Sequence, residues 1–421
     1  MKNYHSFEFL KKIYFVRTAG SPNDIKAANL IKEEVENLGG KAWLEEFMVD
    51  SAKITKSTLK FSEPELEIEC AGSGYSGYTD DLGVTGEFIV IMDKKALDMF
   101  NLKDKIVLLP GRKRAPHNFY TKALQDGAKA IILTTGNVYK DEDEVDLDPY
   151  LNRDIDYNLG YIPTIMVRMK DAERIMELMP KKATVVLQGE DSKVKTQNVV
   201  AEIKGTEFPD EIITFTAHHD SVSFSRGIYD NATGVITLLQ MLNYYQENKP
   251  RRTLRFIWCG AEEMGLLGSK YHANTHEEEI KEKVLLNINI DMVAVTIGRD
   301  IAVVTGDESI VNYINFVSNE VGFPIDAKTG VYSSDSTPFA DKGVPAISFA
   351  RLAPQGGATI HSHDDVIERL SEPNYIDTCN FIALISSRFI NAYKFPIKKE
   401  MPQKMLDELD YYLCRKERPE K

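Results

Sequence analysis

From Asn198 onward two apolar patterns alternate along the chain. Short, nearly continuous apolar runs at Val199–Ile203, Ile212–Ala217, Leu254–Cys259, Leu285–Ile290, Ile301–Val304 and Ala346–Phe349 predict buried strands. Between them, apolar residues recur three and four positions apart. Val235, Leu238, Leu239 and Leu242 share one face of a helix beginning after Gly234, and similar spacing predicts helices over Leu266–Ala273, Ile310–Val321 and Asn374–Tyr393. Buried strands alternating with amphipathic helices predict an α/β fold with a mixed, largely parallel sheet sandwiched by helices.

Earlier in the chain, Ser21-Pro22-Asn23-Asp24 predicts a helix start, with Ser21 as cap and Pro22 in the first turn, and Gly39-Gly40 its end. Lys41 to Ser62 alternates enough to predict one or two strands. Composition then shifts between Ser62 and Gly77 towards Glu, Gly, Ser and Tyr. A compact pattern follows: strands at Phe88–Met92, Ile106–Leu109, Ala130–Leu133 and Thr164–Val167, with helices at Tyr120–Gln125 and Asp171–Leu178. The acidic stretch from Lys140 to Asp156 lacks the spacing of an EF-hand and is read as a solvated loop. The expected organisation is a discontinuous domain, 1–65 and 192–400, interrupted by a smaller α/β insert at 66–191 and followed by a charged amphipathic tail at 401–421.

Composition narrows the function classes. With 421 residues, two domains are expected. The 51 basic and 64 acidic side chains leave a formal charge of −13, which argues against nucleic acid and anionic membrane as partners. The first residues lack an apolar signal core and no apolar run approaches the ~20 residues that span a bilayer, so the expected location is cytoplasmic. Cys70, Cys259, Cys379 and Cys414 show no CxxC spacing, so a bound metal would need His and carboxylate ligands.

Such residues gather where strands end. Leu254–Cys259 runs into Glu262-Glu263; neighbouring side chains leave a strand in opposing directions, so the two glutamates are expected to do different jobs. Ile213–Ala217 runs into His218-His219-Asp220, in which Asp220 can hold the His218 imidazole. Asp230 precedes a helix, Asp291 follows a strand, and His361 has Asp365 behind it in sequence. Singly, each has an ordinary structural reading as exposed turn, surface pair or helix cap. Together, two imidazoles and several carboxylates at the strand ends of one sheet match the needs of two adjacent divalent cations, with nitrogen and oxygen donors suited to zinc and with cobalt or manganese as replacements.

His218-His219-Asp220-Ser221-Val222, Asp230-Asn231-Ala232-Thr233-Gly234, Ala261-Glu262-Glu263-Met264-Gly265, Asn289-Ile290-Asp291-Met292 and His361-Ser362-His363-Asp364-Asp365 resemble, in order, the motifs of the co-catalytic two-zinc aminopeptidases, a family that includes glutamate carboxypeptidases. Asp335-Ser336-Thr337-Pro338-Phe339 is similar to a further family segment, and the insert resembles a protease-associated domain. The resemblance implies a zinc-exopeptidase fold with two zinc ions. Asp230 would bridge them, His218 and Asp291 would complete one site, and Glu263 and His361 the other. Glu262 would be the general base, Asp220 stands with it among the expected catalytic residues, and the Asp230–Asn231 peptide would be cis. Two departures stand out: Ile360 occupies a position where relatives often have Tyr, and Ser336 one where many have His.

The expected activity is therefore a zinc-dependent aminopeptidase acting on short peptides. A carboxypeptidase or amide-cleaving deacylase on the same scaffold is the alternative enzyme. A non-catalytic binding or scaffold protein is the alternative of another class; such a chain would be expected to have lost ligands or base, whereas all six positions are filled.

Overall fold

The computed structural model describes residues 6–92, 100–141, 144–147, 151–152 and 158–416. It divides into two units, one of residues up to Val49 and from Lys195 onward, the other Asp50–Val194. The first boundary lies ahead of the composition shift because strand Ala42–Ser62 runs on without a break. That shift marks instead the turn between this strand and Glu65–Ile68, which pair antiparallel.

Among the described residues, seven strands of the first unit form one run across its sheet: β1 (Lys182–Ile203, of which the part from Lys195 belongs here), β2 (Phe208–His218), β3 (Arg252–Cys259), β4 (Val284–Ile290), β5 (Arg299–Thr305), β6 (Asp326–Thr329) and β7 (Ala346–Leu352); strand Ala42–Ser62 also pairs with β1. Their order across the sheet is β6-β5-β7-β4-β2-β3-β1. The central four, β7, β4, β2 and β3, are mutually parallel, whereas β5 opposes β7 and β1 opposes β3. The register pairs Cys259 with His218 and Asn289 with Thr216, so β2, β3 and β4 terminate along one edge. Chain segments leaving those strands all start from the same end of the sheet, where open α/β sheets build their sites.

Both faces of this sheet are covered. Leu254, Phe256 and Trp258 of β3 enter one core cluster while Ile257 and Cys259 enter another, as strand alternation requires. All eight residues of β3 are buried, and its two arginines are paired, Arg252 with Glu211 at 2.6 Å and Arg255 with Glu202 and Glu279 at 2.9 and 2.7 Å. The Trp258 indole N–H donates to the Val235 carbonyl at 3.1 Å, so the ring is buried with no polar cost. Truncating it to Ala would remove about 3–5 kcal/mol.

Helix Thr233–Glu247 packs Val235, Leu238, Leu239 and Leu242 into the first cluster, as its periodicity predicts. Helix Pro22–Asn37 begins with the Ser21 side chain accepting from the Asp24 amide, the expected cap. Helices at Leu267–Thr275, Glu308–Val321 and Glu372–Ile390 also lie within a few residues of their expected positions. The short helix Glu277–Lys283 and strand β6 were not anticipated: only Ile280 of the helix is buried, and β6 alternates half-buried and exposed residues.

The segment expected as a charged amphipathic tail is helical. Helix Gln403–Tyr412 buries Met405 and Leu409, Arg415 makes a two-pronged pair with Asp341 at 2.6 and 2.7 Å, and the segment belongs to the first unit.

In the second unit, strands Val84–Val90, Lys105–Leu109, Ala130–Thr135 and Thr164–Arg168 are consecutive and parallel, with helices His117–Asp126 and Met169–Leu178. Ile106 and Leu108 enter one apolar cluster, Val107 and Leu109 another, so this sheet too is covered on both faces. Of the acidic stretch Lys140–Asp156, residues 142–143, 148–150 and 153–156 lie outside the described residues. Among the described residues all four cysteines are free, and no helix is long and apolar enough to cross a membrane.

Candidate metal centre

The ends of β2, β3 and β4, with the segments carrying Asp230 and His361, bring five sequence-predicted ligands together. His218, the last residue of β2, places Nε2 3.0 Å from Asp230 Oδ1 and 3.7 Å from Asp291 Oδ1. His361 places Nε2 3.3 Å from Asp230 Oδ2 and 2.9 Å from Glu263 Oε2. Asp230 therefore offers one oxygen to each imidazole, the arrangement of a carboxylate shared by two positions. Its neighbours form two triads of possible ligands, His218–Asp230–Asp291 and Asp230–Glu263–His361, in which the donor atoms lie within 4.8 Å of one another.

Local chemistry explains the convergence. Asp220 is buried, and its carboxylate accepts the amides of Glu262 at 3.0 Å and Glu263 at 3.2 Å, so it braces the step between the two glutamates. The His218 ring lies 3.6 Å from Asp220 Oδ1 and 3.3 Å from its carbonyl oxygen. Asn231 locks the segment after Asp230 onto β4: its amide donates to the Ile290 carbonyl at 2.9 Å, and its oxygen accepts the Gly234 and Met292 amides at 2.9 and 3.2 Å. A Cβ at Gly234 would lie 2.5 Å from both Asn231 Oδ1 and the Ile290 carbonyl, which is why glycine opens this helix. The Asp230–Asn231 peptide is cis, as the resemblance implies. Ala261, Met292 and His361 have φ of 54°, 55° and 52°; such left-handed conformations cost a non-glycine residue about 1–3 kcal/mol and cluster at functional sites.

Arg17, which no sequence motif singled out, lies fully buried behind this loop. Its guanidinium donates to the carbonyls of His219, Arg226 and, at 2.6 Å, Gly227, while its backbone amide donates to Ser221 Oγ at 3.1 Å. It fastens both ends of the loop joining His218 to Asp230. Its charge also interacts with Asp365, Asp220, Asp230 and Glu263.

The centre is electrostatically one-sided. Burial opposes ionisation of Asp230, yet hydrogen bonds from His218 and His361 hold its carboxyl below the ordinary range. Burial, reinforced by the charge of Asp230, pushes Glu263 up to about 7. Glu262 is pushed well up by burial and by Glu263, against the pull of His218. Burial alone would favour neutral His361, but its bonds to Asp230 and Glu263 raise it to about 11. Asp291 Oδ1 is buried with no hydrogen-bond partner among the described residues, an orphaned acceptor aimed at the ligand set. Crowded carboxylates with an unsatisfied oxygen fit divalent cations, which supply the missing positive charge.

Other residues singled out in the sequence take the following places. The oxygens of Asp365 accept the Tyr229 and Asp230 amides at 2.7 and 3.1 Å, so it steadies Asp230 from behind. Ser336 is buried in a hydroxyl cluster, 2.9 Å from Ser334 and 2.8 Å from Ser348, and does not take the place of a ligand. His219 turns away as alternation predicts and pairs with Asp24 at 3.1 Å. Ile360, next to His361, is 38% exposed. Asp335 accepts a 2.5 Å hydrogen bond from Ser269, and burial raises it to about 6.

Comparisons with known proteins bear on this centre. Aminopeptidase YwaD of Bacillus subtilis is 27% identical, with 96% of this chain and 88% of that protein aligned. Aminopeptidase Y of Saccharomyces cerevisiae is 28% identical over 52% of this chain and 43% of its own length. Two solved structures share the fold: a zinc aminopeptidase from Bacillus subtilis (TM-score 0.76, 23% identity, 95% of this chain and 98% of that one) and an aminopeptidase from Aneurinibacillus sp. strain AM-1 (TM-score 0.75, 23% identity, 94% and 95%). Residues 198–385, which carry every residue of the two triads, match peptidase family M28.

Proposed function

We propose that this protein is a zinc-dependent aminopeptidase that removes N-terminal residues from short peptides using a pair of metal ions. The observation that carries the reading is Asp230, whose two oxygens face His218 and His361 separately. His218 and Asp291 would hold one ion with Asp230, and Glu263 and His361 the other. The donor set of imidazole and carboxylate suits zinc, with cobalt or manganese as replacements. When bound, such ions polarise a substrate carbonyl and lower the pKa of water.

The chain's own groups do the rest. Glu262, pushed up by burial and by Glu263, would take a proton from the attacking water and return it to the leaving amine. Asp220 keeps Glu262 and Glu263 in their separate orientations through their amides. Asp230 is held from behind by Asp365 and Asn231. The free cysteines support a reducing compartment such as the cytoplasm. The parallel strands and helices of Asp50–Val194 support a protease-associated type of insert.

Amino-acid arylamides and N-blocked peptides, assayed with and without chelator, test the reading. Cleavage of free-amine substrates alone, abolished by chelation and restored by zinc, is expected. Release of C-terminal residues from blocked peptides would replace it with a carboxypeptidase.

A further inference from the structure

A second group of metal-type donors lies in the first unit and shares no residue with the centre above. Glu45 stands on strand Ala42–Ser62, His272 in the last turn of helix Leu267–Thr275, and His276 directly after that helix. The His-x-x-x-His spacing puts both imidazoles on one side of the helix, and Glu45 reaches between them. Glu45 Oε2 is 2.8 Å from His272 Nδ1, Glu45 Oε1 is 2.9 Å from His276 Nε2, and the ring centroids are 4.6 Å apart. One donor atom from each residue falls within 4.8 Å of the others, the same criterion met by both triads around Asp230.

We propose that Glu45, His272 and His276 form a third, structural metal site for a zinc-like divalent cation. Two imidazoles and one carboxylate make a zinc donor set with bonds of about 2.0–2.2 Å, leaving a fourth position for water. Tetrahedral donors at that radius stand about 3.3 Å apart, so the 2.8 and 2.9 Å contacts need open by only about half an ångström. The His272 side chain is 1% exposed and that of Glu45 9%, whereas that of His276 is 35% exposed and gives the ion a route from solvent.

His272 turns Nδ1 toward Glu45, while its Nε2 is buried without a hydrogen-bond partner among the described residues. The nearby Arg255 is neutralised by Glu202 at 2.9 Å and Glu279 at 2.7 Å.

The position suggests what the ion does. Asn198 reaches Glu45 at 3.4 Å, donates to the Gly268 carbonyl at 2.9 Å and accepts the Gly260 amide at 3.0 Å. Gly260 and Gly268 bracket the stretch containing Glu262 and Glu263. An ion here would tie strand Ala42–Ser62 to the helix that follows the catalytic pair, without meeting substrate.

Metal stoichiometry tests the site. The purified full chain, stripped by chelator, reloaded with zinc and freed of excess, is expected to hold three equivalents. His276→Gln, at a partly exposed position, and Glu45→Gln are expected to hold two, with zinc affinity at this position more than about 100-fold weaker and turnover on arylamides within about twofold of the parent. Anomalous scattering at the zinc edge from crystals of the loaded protein should place the third peak between Glu45 and the two histidines, independently of how any variant folds. Two equivalents in the parent, or three in both variants, would overturn the proposal. Asp230→Ala separates it from the catalytic reading: three equivalents should fall to one, retained at Glu45. Loss of all zinc in Asp230→Ala would count against the third site, and a parent holding one equivalent that Asp230→Ala leaves in place would remove the catalytic pair and spare it.

Discussion

The two halves of the candidate centre share Asp230 and differ in almost everything else. His218, Asp230 and Asp291 are buried, and His218 and Asp291 stand at the ends of adjacent parallel strands. In the other half the His361 side chain is 40% exposed, and the residue sits in a loop at a left-handed φ. The inner half is positioned by a sheet whose register is set by many strand contacts; the outer half is positioned by loops and by its bonds to Asp230 and Glu263. A substrate must arrive from the open side, so the exposed half is where ligand exchange and peptide binding are expected. The contrast is broken most completely at the residue the halves share. Asp230→Ala should empty both positions together and bring arylamide turnover to the chelated baseline, as read by metal analysis and initial rates. Retention of one zinc equivalent there beyond that held at Glu45 would show that the halves do not depend on a common ligand.

A substitution at Glu262 is expected to separate metal binding from the proton transfer proposed for it. Glu262→Gln should keep the metal content of the parent and lower kcat by about 10²–10⁴. Between these extremes lies the asymmetry itself. His361→Ala should lose the outer ion and keep the inner one through dialysis, whereas Asp291→Ala should release the inner ion. Equal loss in both variants, followed by metal content against dialysis time, would mean that burial does not distinguish the halves.

The halves also differ in how far the sequence discloses them. Strand-end ligands are legible because each follows an apolar run: Ile213–Ala217 before His218, Leu285–Ile290 before Asp291. The same runs place β2, β3 and β4 within a few residues of their observed ends. What periodicity does not carry is contact across long stretches of chain. Arg17 lies about 200 residues before the carbonyls it binds, and backbone acceptors leave no mark in composition. Asp365 is adjacent to the His361 motif in sequence but serves Tyr229 and Asp230, a role visible only once the loops meet. Glu45, His272 and His276 combine a strand with a helix end, and each has an ordinary local reading by itself.

Arg17 gives the next smaller effect, now on stability. Its guanidinium satisfies several carbonyls of one buried loop, and an unmatched buried acceptor costs about 1–3 kcal/mol. Arg17→Met should therefore lower the unfolding free energy by about 3–5 kcal/mol, the range for breaking a buried charged network. Arg17→Lys keeps the charge but loses the planar fork, and should recover only part of that loss while holding His218 less firmly. Denaturant unfolding measures the first effect and zinc affinity of the inner half the second. Full recovery by Lys in both would mean that charge alone matters.

The smallest effect comes from making the same deletion on both sides. Ile290 ends β4 directly before Asp291 and is fully buried, whereas Ile360 precedes His361 and is 38% exposed. Ile290→Ala leaves a cavity that the surrounding sheet cannot close and should cost about 2–5 kcal/mol. Ile360→Ala creates no enclosed cavity and should stay within about 0.5 kcal/mol of the parent. Because that side chain is exposed next to His361 on the open half, its removal should act on substrate, raising KM for apolar N-terminal residues by less than about tenfold while kcat and zinc content hold. Comparable destabilisation by the two substitutions would place Ile360 in the packed interior and remove the distinction between a rigid inner half and an outer half open to the peptide.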